Sequence, residues 1–537
     1  ARMWAAVGGI LAMAAMTTTA VAPTKAADAP KQEKRPNILV IWGDDIGMWN
    51  VGAYTHGMMG RTPNIDSLAK QGAIFTDHYG QASCTAGRAA FITGQIPLRT
   101  GETTIGIPGS KLGLQKEDPT LAEVLKSQGY ATAQFGKNHL GDRNEFLPTV
   151  HGFDEWFGNL YHLNAEEEPE QLDYPGQKNP AYKAKYAPRG VMHTWATQTD
   201  DPTTDPVFGR VGKQKIENTG PLTRKRMETI DREVTEKALD FMERAAKSDK
   251  PFFLWWNSTR MHIFTHLKPA SQGKTGLGIY ADGMVEHDAM VGQLLAKLKE
   301  LGIEDNTIVM YSTDNGAEAF TWPDGGTTMF RGEKNTQWEG GFRVPTVIRW
   351  PGVVTPGTVF NDIGAHEDMI PTLLAAVGDT TVKDELLKGK KVGDATYKVH
   401  LDGYNLIPAL KGEGEWPRHE FLYWTDDGSV AALRYNNWKI SFLKQNAEGF
   451  HVWTQPFEQL RAPMIANLRS DPFERAEYEG MDYQRWFLEH MFAIAPAAGY
   501  VGQWLQSFRE FPPRQRPGSF NLERVMEAVT SSHKTSN

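Results

Sequence analysis

The sequence is poor in cysteine: Cys84 is the only one among 537 residues. A single thiol excludes an intramolecular disulfide. An excess of positive charge is also missing, since 57 Lys and Arg face 65 Asp and Glu and the formal net charge is −8. This balance argues against a nucleic-acid partner bound through global positive charge. A local basic pocket for a small anion stays open, because field focusing in a cleft is local.

A long hydrophobic run is missing as well. Arg2 precedes the apolar run "MWAAVGGILAMAAM" and the small-residue stretch "TTTAVAPTKAADAP". This pattern is typical of a signal peptide, which we predict over residues 1–29 with cleavage between Ala22 and Ala29. The run is too short and too rich in Ala and Gly for a membrane span, although an amino-terminal anchor is the alternative. We therefore expect an exported protein, periplasmic or secreted, with no stable membrane span after cleavage.

Strands alternate with helices over much of the chain. Residues 37–42, "NILVIW", form a continuous apolar run that is typical of a strand buried on both faces. Helix-then-strand patterns recur up to Phe252–Trp256 and to a strand that ends at Thr313. The sequence therefore predicts an α/β fold with a large, mostly parallel sheet sandwiched by helices. Ligands of such sheets bind beyond the carboxyl ends of the strands.

The domain organisation follows from changes in this pattern. Residues 36–400 are predicted to form the α/β catalytic domain. Within it, residues 163–221 contain several Pro and Gly and little periodicity, which predicts an irregular insertion. Residues 401–537 contain "HEFLYW" and "VAALRYNNWKISFL", which are typical of strands. We expect a smaller carboxyl-terminal α+β domain with an antiparallel sheet there.

Acidic and amide side chains follow two of the predicted strands directly. Asp44-Asp45 comes after the first strand, and Asp314-Asn315 comes after the strand that ends at Thr313. Adjacent carboxylates repel each other unless a positive group compensates them. Oxygen ligands suit a hard divalent cation such as Ca²⁺ or Mg²⁺. Capping or turn formation explains either pair alone, but two such pairs in one sheet indicate a metal site.

Basic residues occupy other predicted strand ends. Lys137 and His139 lie in "GKNHLG", where the flanking glycines allow close approach of the backbone. His262 lies in "STRMHIFTH", and Lys334 lies in "FRGEKNTQWEGGFRVP". A surface lysine, a capping or packed histidine and an exposed charged loop are the alternatives for these residues.

Cys84 begins a predicted helix, and Arg88 lies one turn further on the same face. Helix-start amides and an arginine favour an anionic neighbour, so an unmodified Cys84 is a candidate for a low-pKa thiolate nucleophile. Thiolates, however, are soft ligands that seldom bind hard cations. A thiolate beside an aspartate-rich metal site is therefore a chemical mismatch, which indicates a modified Cys84. The alternative is a small buried hydrophobic residue.

Several motifs together resemble the sulfatase family of the alkaline phosphatase superfamily. They cover most of the chain outside the insertion and the last residues: "NILVIWGDDIG", "TPNIDSLAKQGAIFTDHYGQASCTAGRAAFITGQ", "TLAEVLKSQGYATAQFGKNHLG", "HGFDEWFG", "VMYSTDNGA", "FRGEKNTQWEGGFRVPTVIRWPG" and "DPFERAEY". In that family a cysteine or serine is oxidised to formylglycine, and the hydrate of this aldehyde is the nucleophile. The resemblance implies an arylsulfatase-like hydrolase of small-molecule or glycan sulfate esters, matured by a formylglycine-generating enzyme.

The resemblance also implies a role for each site residue. Modified Cys84 would join Asp44, Asp45, Asp314 and Asn315 in binding one Ca²⁺, with Mg²⁺ or Mn²⁺ as less favoured metals. Arg88 would hold the hydrate, whereas Lys137 and Lys334 would bind sulfate oxygens. His262 would contact the substrate at its leaving group, and His139 would act on the remaining hydroxyl to expel sulfate.

This sequence departs from the family pattern at a few positions. Ala86 and Gly87 stand where a proline and a serine are usual, Asn138 stands where an aromatic residue is common, and Met261 replaces a proline before His262. A phosphonate monoester or phosphodiester hydrolase of the same superfamily is an alternative activity. A non-catalytic sulfate-ester binder is a further alternative if Cys84 is never modified. Aryl, sugar and alkyl sulfates all remain open as substrates.

Overall fold

The computed structural model describes residues 34–104, 106 and 108–519, so the predicted signal peptide lies outside the described residues. The strands are β1 Asn37–Gly43, β2 Ala73–Phe75, β3 His78–Tyr79, β4 Ala131–Gly136, β5 Glu155–Gly158, β6 Met192–Asp205, β7 Gly209–Asn218, β8 Phe252–Asn257, β9 Thr307–Thr313, β10 Thr346–Arg349, β11 Thr358–Phe360, β12 Gly364–Ala365, β13 Lys390–Val392, β14 Ala395–Tyr397, β15 Glu420–Trp424, β16 Val430–Tyr435, β17 Trp438–Lys444 and β18 Glu458–Asn467. The helices are α1 Gly52–Thr55, α2 Pro63–Gln71, α3 Cys84–Thr93, α4 Pro97–Thr100, α5 Leu121–Ser127, α6 Leu163–Glu167, α7 Pro180–Tyr186, α8 Arg224–Met227, α9 Ile230–Lys247, α10 Ile279–Glu300, α11 Glu339–Phe342, α12 Met369–Ala376, α13 Val382–Lys388, α14 Ile407–Leu410, α15 Ala476–Glu479, α16 Tyr483–His490 and α17 Ile494–Glu510.

Ten strands form the main sheet in the order β11-β2-β10-β9-β1-β8-β4-β5-β6-β7. The five central strands, β9, β1, β8, β4 and β5, are mutually parallel. Antiparallel pairs occur towards both edges, where β10 pairs with β9 and β6 pairs with β5. The expected large, mostly parallel sheet is confirmed, with the parallel strands at its centre.

Both faces of the central sheet are buried, and the alternation of side chains along β1 shows how. Ile38, Val40 and Trp42 enter one apolar cluster, which also contains residues of α3, α5 and α12. Leu39 and Ile41 enter the opposite cluster, which α2, α9 and α10 cover. A strand with apolar residues on both faces needs helices on both sides, so the continuous apolar run of β1 fits a sandwiched sheet.

Residues 163–221 are more regular than the sequence predicts. Strands β6 and β7 pair as an antiparallel hairpin that extends the main sheet beyond β5. The expectation of an irregular insertion is therefore wrong for its second half. The outer part of β6 is exposed on both faces. A strand that is held only by backbone hydrogen bonds to its neighbour needs no buried face, so its sequence shows no alternation of apolar and polar residues.

The carboxyl-terminal part contains a second, smaller sheet, as predicted. Strands β15, β16, β17 and β18 form a four-stranded antiparallel sheet. One face of this sheet packs on α17 through Ala497 and Val501. The other face carries Phe421 and Tyr423, which pack against Tyr79 of the main fold.

Among the described residues, no helix combines the length and apolarity needed to span a membrane.

Candidate active site

The site lies where the carboxyl ends of neighbouring parallel strands meet. Strands β9, β1, β8 and β4 are adjacent in the sheet. Asp314 follows β9, Asp44 follows β1, Asn257 ends β8 and Lys137 follows β4. All four side chains are buried. Parallel pairing therefore brings together polar residues that are far apart in the sequence, as the strand-end argument predicts.

Arg88 connects all four of these strand ends. Its Nε and Nη2 donate to Oδ2 of Asp314 at 3.2 and 2.9 Å. Its Nη1 donates to the backbone oxygen of Lys137 and to Oδ1 of Asn257, both at 3.0 Å. Nη2 also lies 3.5 Å from Oδ1 of Asp44. Burial alone would lower the pKa of Arg88, but the negative charges of Asp314 and Asp44 have the larger effect and raise that pKa. The guanidinium is thus a permanently charged clamp.

Oxygen atoms and the Cys84 sulfur cluster beside this clamp. Potential ligand atoms of Asp44, Cys84 and Asp314 lie within 4.8 Å of one another. Oδ1 of Asp44 and Oδ1 of Asn315 are buried and have no hydrogen-bond partner among the described residues. Burial, followed by the charge of Asp44, raises the pKa of Asp314 to about 6. Unpaired hard oxygens and crowded carboxylates are the environment that a divalent cation stabilises, so these residues fit a metal.

Asp45 points to the basic side of the site. Its Oδ2 accepts from Nζ of Lys334 at 2.8 Å and lies 3.6 Å from Nε2 of His262. Its Oδ1 accepts from Nδ2 of Asn315 at 2.7 Å. Burial alone would raise the pKa of Asp45, but Lys334 and His262 outweigh it and hold the pKa below its usual range. The carboxylate therefore stays ionised between the amide of Asn315, a predicted metal ligand, and the two predicted sulfate-binding residues, Lys334 and His262.

Lys137 lies beside Asp44, as Lys334 lies beside Asp45. Its Nζ donates to Oδ2 of Asp44 at 2.6 Å. The backbone at the preceding Gly136 has φ +107°, and a Cβ there would lie 1.6 Å from the backbone oxygen of Asn257. Only glycine allows β4 and β8 to approach this closely, which places Lys137 at the site.

Glu318 is a site residue that the sequence reasoning missed. It is buried, and its Oε2 lies 3.6 Å from Nζ of Lys334. Burial raises the pKa of Glu318 to about 8, although Lys334 opposes the shift. The carboxylate of Glu318 forms a second cluster of potential ligand atoms together with Asp45 and His262. Its place three residues after Asn315, beyond a strand end, was a signal that could have identified it.

Three histidine rings line one side of the site. His139 packs edge-on against His162, with ring centroids 5.7 Å apart, and His162 stacks on His262 at 5.8 Å. Burial lowers the pKa of His262 to about 3. Burial and the nearby Lys137 lower the pKa of His139 well below its usual value. The rings are therefore neutral around pH 7. His162 follows β5, and the sequence analysis did not identify it.

Cys84 is the first residue of α3 and is buried. Burial, aided by Asp44 and Asp314, raises the pKa of its thiol to about 11, although Lys137 and Lys334 oppose the shift. The expectation of a low-pKa thiolate is therefore wrong. The helix start and Arg88 do favour a thiolate, but desolvation and two carboxylates exceed that effect. An unmodified Cys84 is a poor nucleophile at neutral pH, which strengthens the case for modification.

We predict that the thiol of unmodified Cys84 alkylates slowly in the folded protein. A pKa of about 11 leaves roughly one thiol in a thousand ionised at pH 8, so iodoacetamide should react on the order of a hundred times more slowly than with free cysteine. Because the pKa is raised, labelling should accelerate as the pH approaches 11. The measurement uses protein made without the maturation enzyme, with a chelator present. The same protein in urea is the control, and equal rates in both would contradict the prediction.

Gly87 explains one departure from the family pattern. A Cβ at Gly87 would lie 2.0 Å from the backbone oxygen of Asp314. The start of α3 therefore touches the end of β9 so closely that the serine usual in the family does not fit here. Both Cys84 and Asp314 depend on this contact for their position.

Gly87→Ala should consequently destabilise the fold by about 1–3 kcal/mol and lower activity, because the added methyl group overpacks the site. Urea unfolding measures the first effect. Gly499→Ala is the matched control, since it lies inside α17 with no atom within 4 Å of its Cβ position. That substitution should leave activity unchanged and stabilise by up to about 1 kcal/mol. A Gly87→Ala protein as stable and active as wild type would contradict the close contact.

The structure brings all ten sequence-predicted site residues into this one buried region: Asp44, Asp45, Cys84, Arg88, Lys137, His139, His262, Asp314, Asn315 and Lys334. Hydrogen bonds, ion pairs or charge interactions connect each of them to another member. Their catalytic and metal-binding roles remain predictions.

Comparison with known proteins agrees with this arrangement. A family model described as Sulfatase matches residues 36–379. Arylsulfatase A of Bos taurus is 31% identical over 490 residues, covering 90% of this chain and 88% of its own. N-acetylgalactosamine-6-sulfatase of Homo sapiens is 30% identical over 507 residues, covering 86% of this chain and 87% of its own. The crystal structure of PsFucS1 sulfatase from Pseudoalteromonas sp. superposes with a TM-score of 0.76 at 28% identity. The match covers 90% of this chain and 93% of that one.

The fold and the buried strand-end site thus define a hydrolase of the alkaline phosphatase superfamily. Within that superfamily, the chain belongs to the sulfatase family. It is a sulfuric ester hydrolase, which cleaves sulfate monoesters to an alcohol or phenol and inorganic sulfate.

Proposed function

We propose that this sulfatase works with formylglycine at position 84 and one Ca²⁺ in an exported, arylsulfatase-like enzyme. The observation that carries the proposal is the buried cluster of Asp44, Cys84 and Asp314, whose potential ligand atoms lie within 4.8 Å. A thiol with a pKa of about 11 suits neither the metal nor nucleophilic attack. An aldehyde hydrate at the same position provides oxygen for both.

The metal-binding residues are Asp44, Asp45, Asp314 and Asn315, together with modified Cys84. The Oδ1 atoms of Asp44 and Asn315 support this assignment, because both are buried and neither has a hydrogen-bond partner among the described residues. Ca²⁺ accepts many oxygen ligands in flexible geometry, which favours it over Mg²⁺ or Mn²⁺ here. When bound, the cation supplies positive charge that favours the ionised form of a hydrate oxygen and stabilises the anionic transition state.

The cationic side chains bind the sulfate group and balance its charge. Lys137 and Lys334 are held by Asp44 and Asp45 at 2.6 and 2.8 Å, so their ammonium groups are fixed in place. Arg88 holds the hydrate and neutralises charge beside it. Preorganised donors of this kind act in a water-poor site, where electrostatic stabilisation is strongest.

The two neutral histidines handle protons. A hydrate oxygen at position 84 gives up its proton and bonds to sulfur while the bond from sulfur to the ester oxygen breaks. The neutral His262 relays a proton to that leaving oxygen, so the alcohol or phenol departs uncharged. His139 then takes the proton of the remaining hydroxyl at a ring nitrogen. The carbon–oxygen bond to the sulfate breaks, sulfate leaves as the dianion, and the aldehyde forms again. Charge balances, because one proton on the histidine accompanies the added negative charge on sulfate.

Maturation by a formylglycine-generating enzyme and export to the periplasm or medium belong to the same proposal. The substrate is a sulfate ester on a small molecule or a glycan. The relatives include both arylsulfatases and N-acetylgalactosamine-6-sulfatases, which supports testing both classes of substrate. Aryl sulfate activity is the first test because its product is coloured.

The experiment compares turnover of an aryl sulfate, sulfated monosaccharides and a phosphodiester by the matured enzyme, with and without chelator. The proposal expects sulfate ester hydrolysis that a chelator abolishes and added Ca²⁺ restores. A strong preference for the phosphodiester would favour the alternative activity. Binding of a sulfated ligand without release of sulfate would favour the non-catalytic alternative.

A further inference from the structure

A small cavity lies behind the histidine side of the active site. Its volume is about 20 Å³, which is room for a single water molecule. Polar side chains from four segments of the chain line it: Thr85, Glu102, Thr104, His139, Asp142 and Tyr161. Thr85 directly follows Cys84, and His139 is the proposed proton acceptor, so the cavity adjoins the reacting residues.

Two groups on this cavity lack hydrogen-bond partners among the described residues. One is the carboxyl group of Glu102, of which neither oxygen has a partner, and the other is Nδ1 of His139. All three atoms are buried. The Glu102 side chain is fully buried. A buried carboxyl or ring nitrogen without a partner is costly, so such groups normally share an ordered water when space exists.

Three other polar side chains on the cavity, those of Tyr161, Asp142 and Thr85, have hydrogen-bond partners. Tyr161 Oη donates to Oδ2 of Asp142 at 2.6 Å, and the same carboxylate accepts from the backbone nitrogen of Gly109 at 2.9 Å. Thr85 Oγ1 donates to the backbone oxygen of His139 at 2.9 Å. The buried cavity atoms without a hydrogen-bond partner among the described residues are those of Glu102 and His139.

We propose that one water molecule in this cavity bridges the Glu102 carboxyl to Nδ1 of His139, which makes Glu102 the positioning residue for that histidine. The inference rests on the proposed function, in which His139 takes the proton that accompanies sulfate release. Neither the family motifs nor the strand-end argument identifies Glu102.

The bridge sets the tautomer of the ring. The Nδ1–H group donates to the water, the water donates to a carboxyl oxygen, and Nε2 keeps the lone pair that accepts the substrate proton. Once Nε2 is protonated, the same chain stabilises the positive ring. Burial and the nearby Asp118 raise the pKa of Glu102 well above its usual value.

A high-resolution crystal structure tests the bridge without any activity. The proposal expects one ordered water within hydrogen-bonding distance of both Glu102 and Nδ1 of His139. An empty cavity, or a water that contacts only one of them, would overturn it. Nitrogen NMR of the His139 ring is the second readout: the wild-type ring should be the Nδ1–H tautomer, whereas Glu102→Met should show a mixture. An unchanged tautomer in that variant would also overturn the proposal.

Kinetics of the same variants give the functional readout. With an aryl sulfate, Glu102→Met should lower kcat about 10- to 100-fold with little change in KM, as loss of an outer-shell partner does. Phenol release in the first turnover should stay fast while sulfate release becomes slow, because only the His139 step is affected. Glu102→Gln keeps an acceptor oxygen of the same shape and should restore most of kcat.

Asp288→Asn is the matched control, since it also removes a buried acid whose pKa burial raises, but from outside the cavity lining. It should leave both release steps near wild type. Wild-type kcat in Glu102→Met, or no recovery in Glu102→Gln, would count against the positioning role. If the wild-type enzyme released no sulfate from any ester, the proposed function would fail, and the water and tautomer readouts would still decide the bridge.

Discussion

A Cys84→Ala variant should lose sulfate ester hydrolysis almost completely, with kcat/KM falling by at least about 10⁴-fold. The reason is that alanine can be neither the precursor of an aldehyde nor a nucleophile, whereas the rest of the site stays in place. The side chain is small and buried at the start of α3, so the fold should persist. Initial rates with a chromogenic aryl sulfate, beside thermal unfolding, provide the measurement.

Thr93→Ser is the matched control for this prediction. Like Cys84→Ala, it removes one heavy atom from a buried position of α3, but at the other end of the helix. It should keep activity near wild type with a small loss of stability. If Cys84→Ala retained a substantial fraction of wild-type activity, Cys84 would not be the source of the nucleophile.

Arg88→Met should destabilise the metal-free protein by about 3–5 kcal/mol and abolish activity. Removing one partner of a buried ion pair leaves an uncompensated charge. Here Asp314 would lose two hydrogen bonds, and the Asn257 side chain and the Lys137 backbone oxygen would each lose one. Denaturant unfolding with a chelator measures the loss. Added Ca²⁺ should recover part of it, because the cation supplies positive charge to the same carboxylates.

Two further variants sharpen this test. Arg88→Lys keeps the charge but loses the planar fork, so it should recover part of the stability and little of the activity. Arg232→Met is the surface control, because its pairing with Glu236 at 3.7 Å is exposed, and it should change stability by no more than about 0.5 kcal/mol. An Arg88→Met protein with wild-type stability would show that the clamp does not hold the strand ends together.

The sequence predicts the central fold well because its signals there are strong. A strand buried on both faces must be apolar throughout, and β1 is the example. The strands that were predicted near residues 37–42, 252–256 and before Thr313 are confirmed. Their order in the sheet could not be predicted, since pairing depends on contacts between distant segments.

The hairpin β6–β7 shows where sequence patterns fail. Its outer residues have no buried face, so neither apolar alternation nor turn chemistry distinguishes them from a loop. The start of β6 pairs with β5, and the rest of the hairpin is formed by pairing between β6 and β7. Backbone pairing of this kind does not require any pattern of side-chain polarity.

The candidate site was predicted largely from chemistry that the sequence displays. Acidic pairs after strands and glycines around Lys137 are local signals, and the family motifs supplied the remaining residues. The pKa of Cys84 was predicted in the wrong direction, because burial and the charges of Asp44 and Asp314 arise only in the folded chain. His162 and Glu102 were missed for the same reason, since the groups that surround them come from distant parts of the chain. Glu318 was missed although it lies shortly after the strand end at Thr313.

The most direct test of the central claim is the mass of the tryptic peptide that contains Cys84, measured on purified enzyme of known specific activity. The account predicts that the thiol has been replaced by an aldehyde, in a fraction that follows the activity across preparations with different degrees of maturation. An unmodified thiol in fully active enzyme would contradict the account.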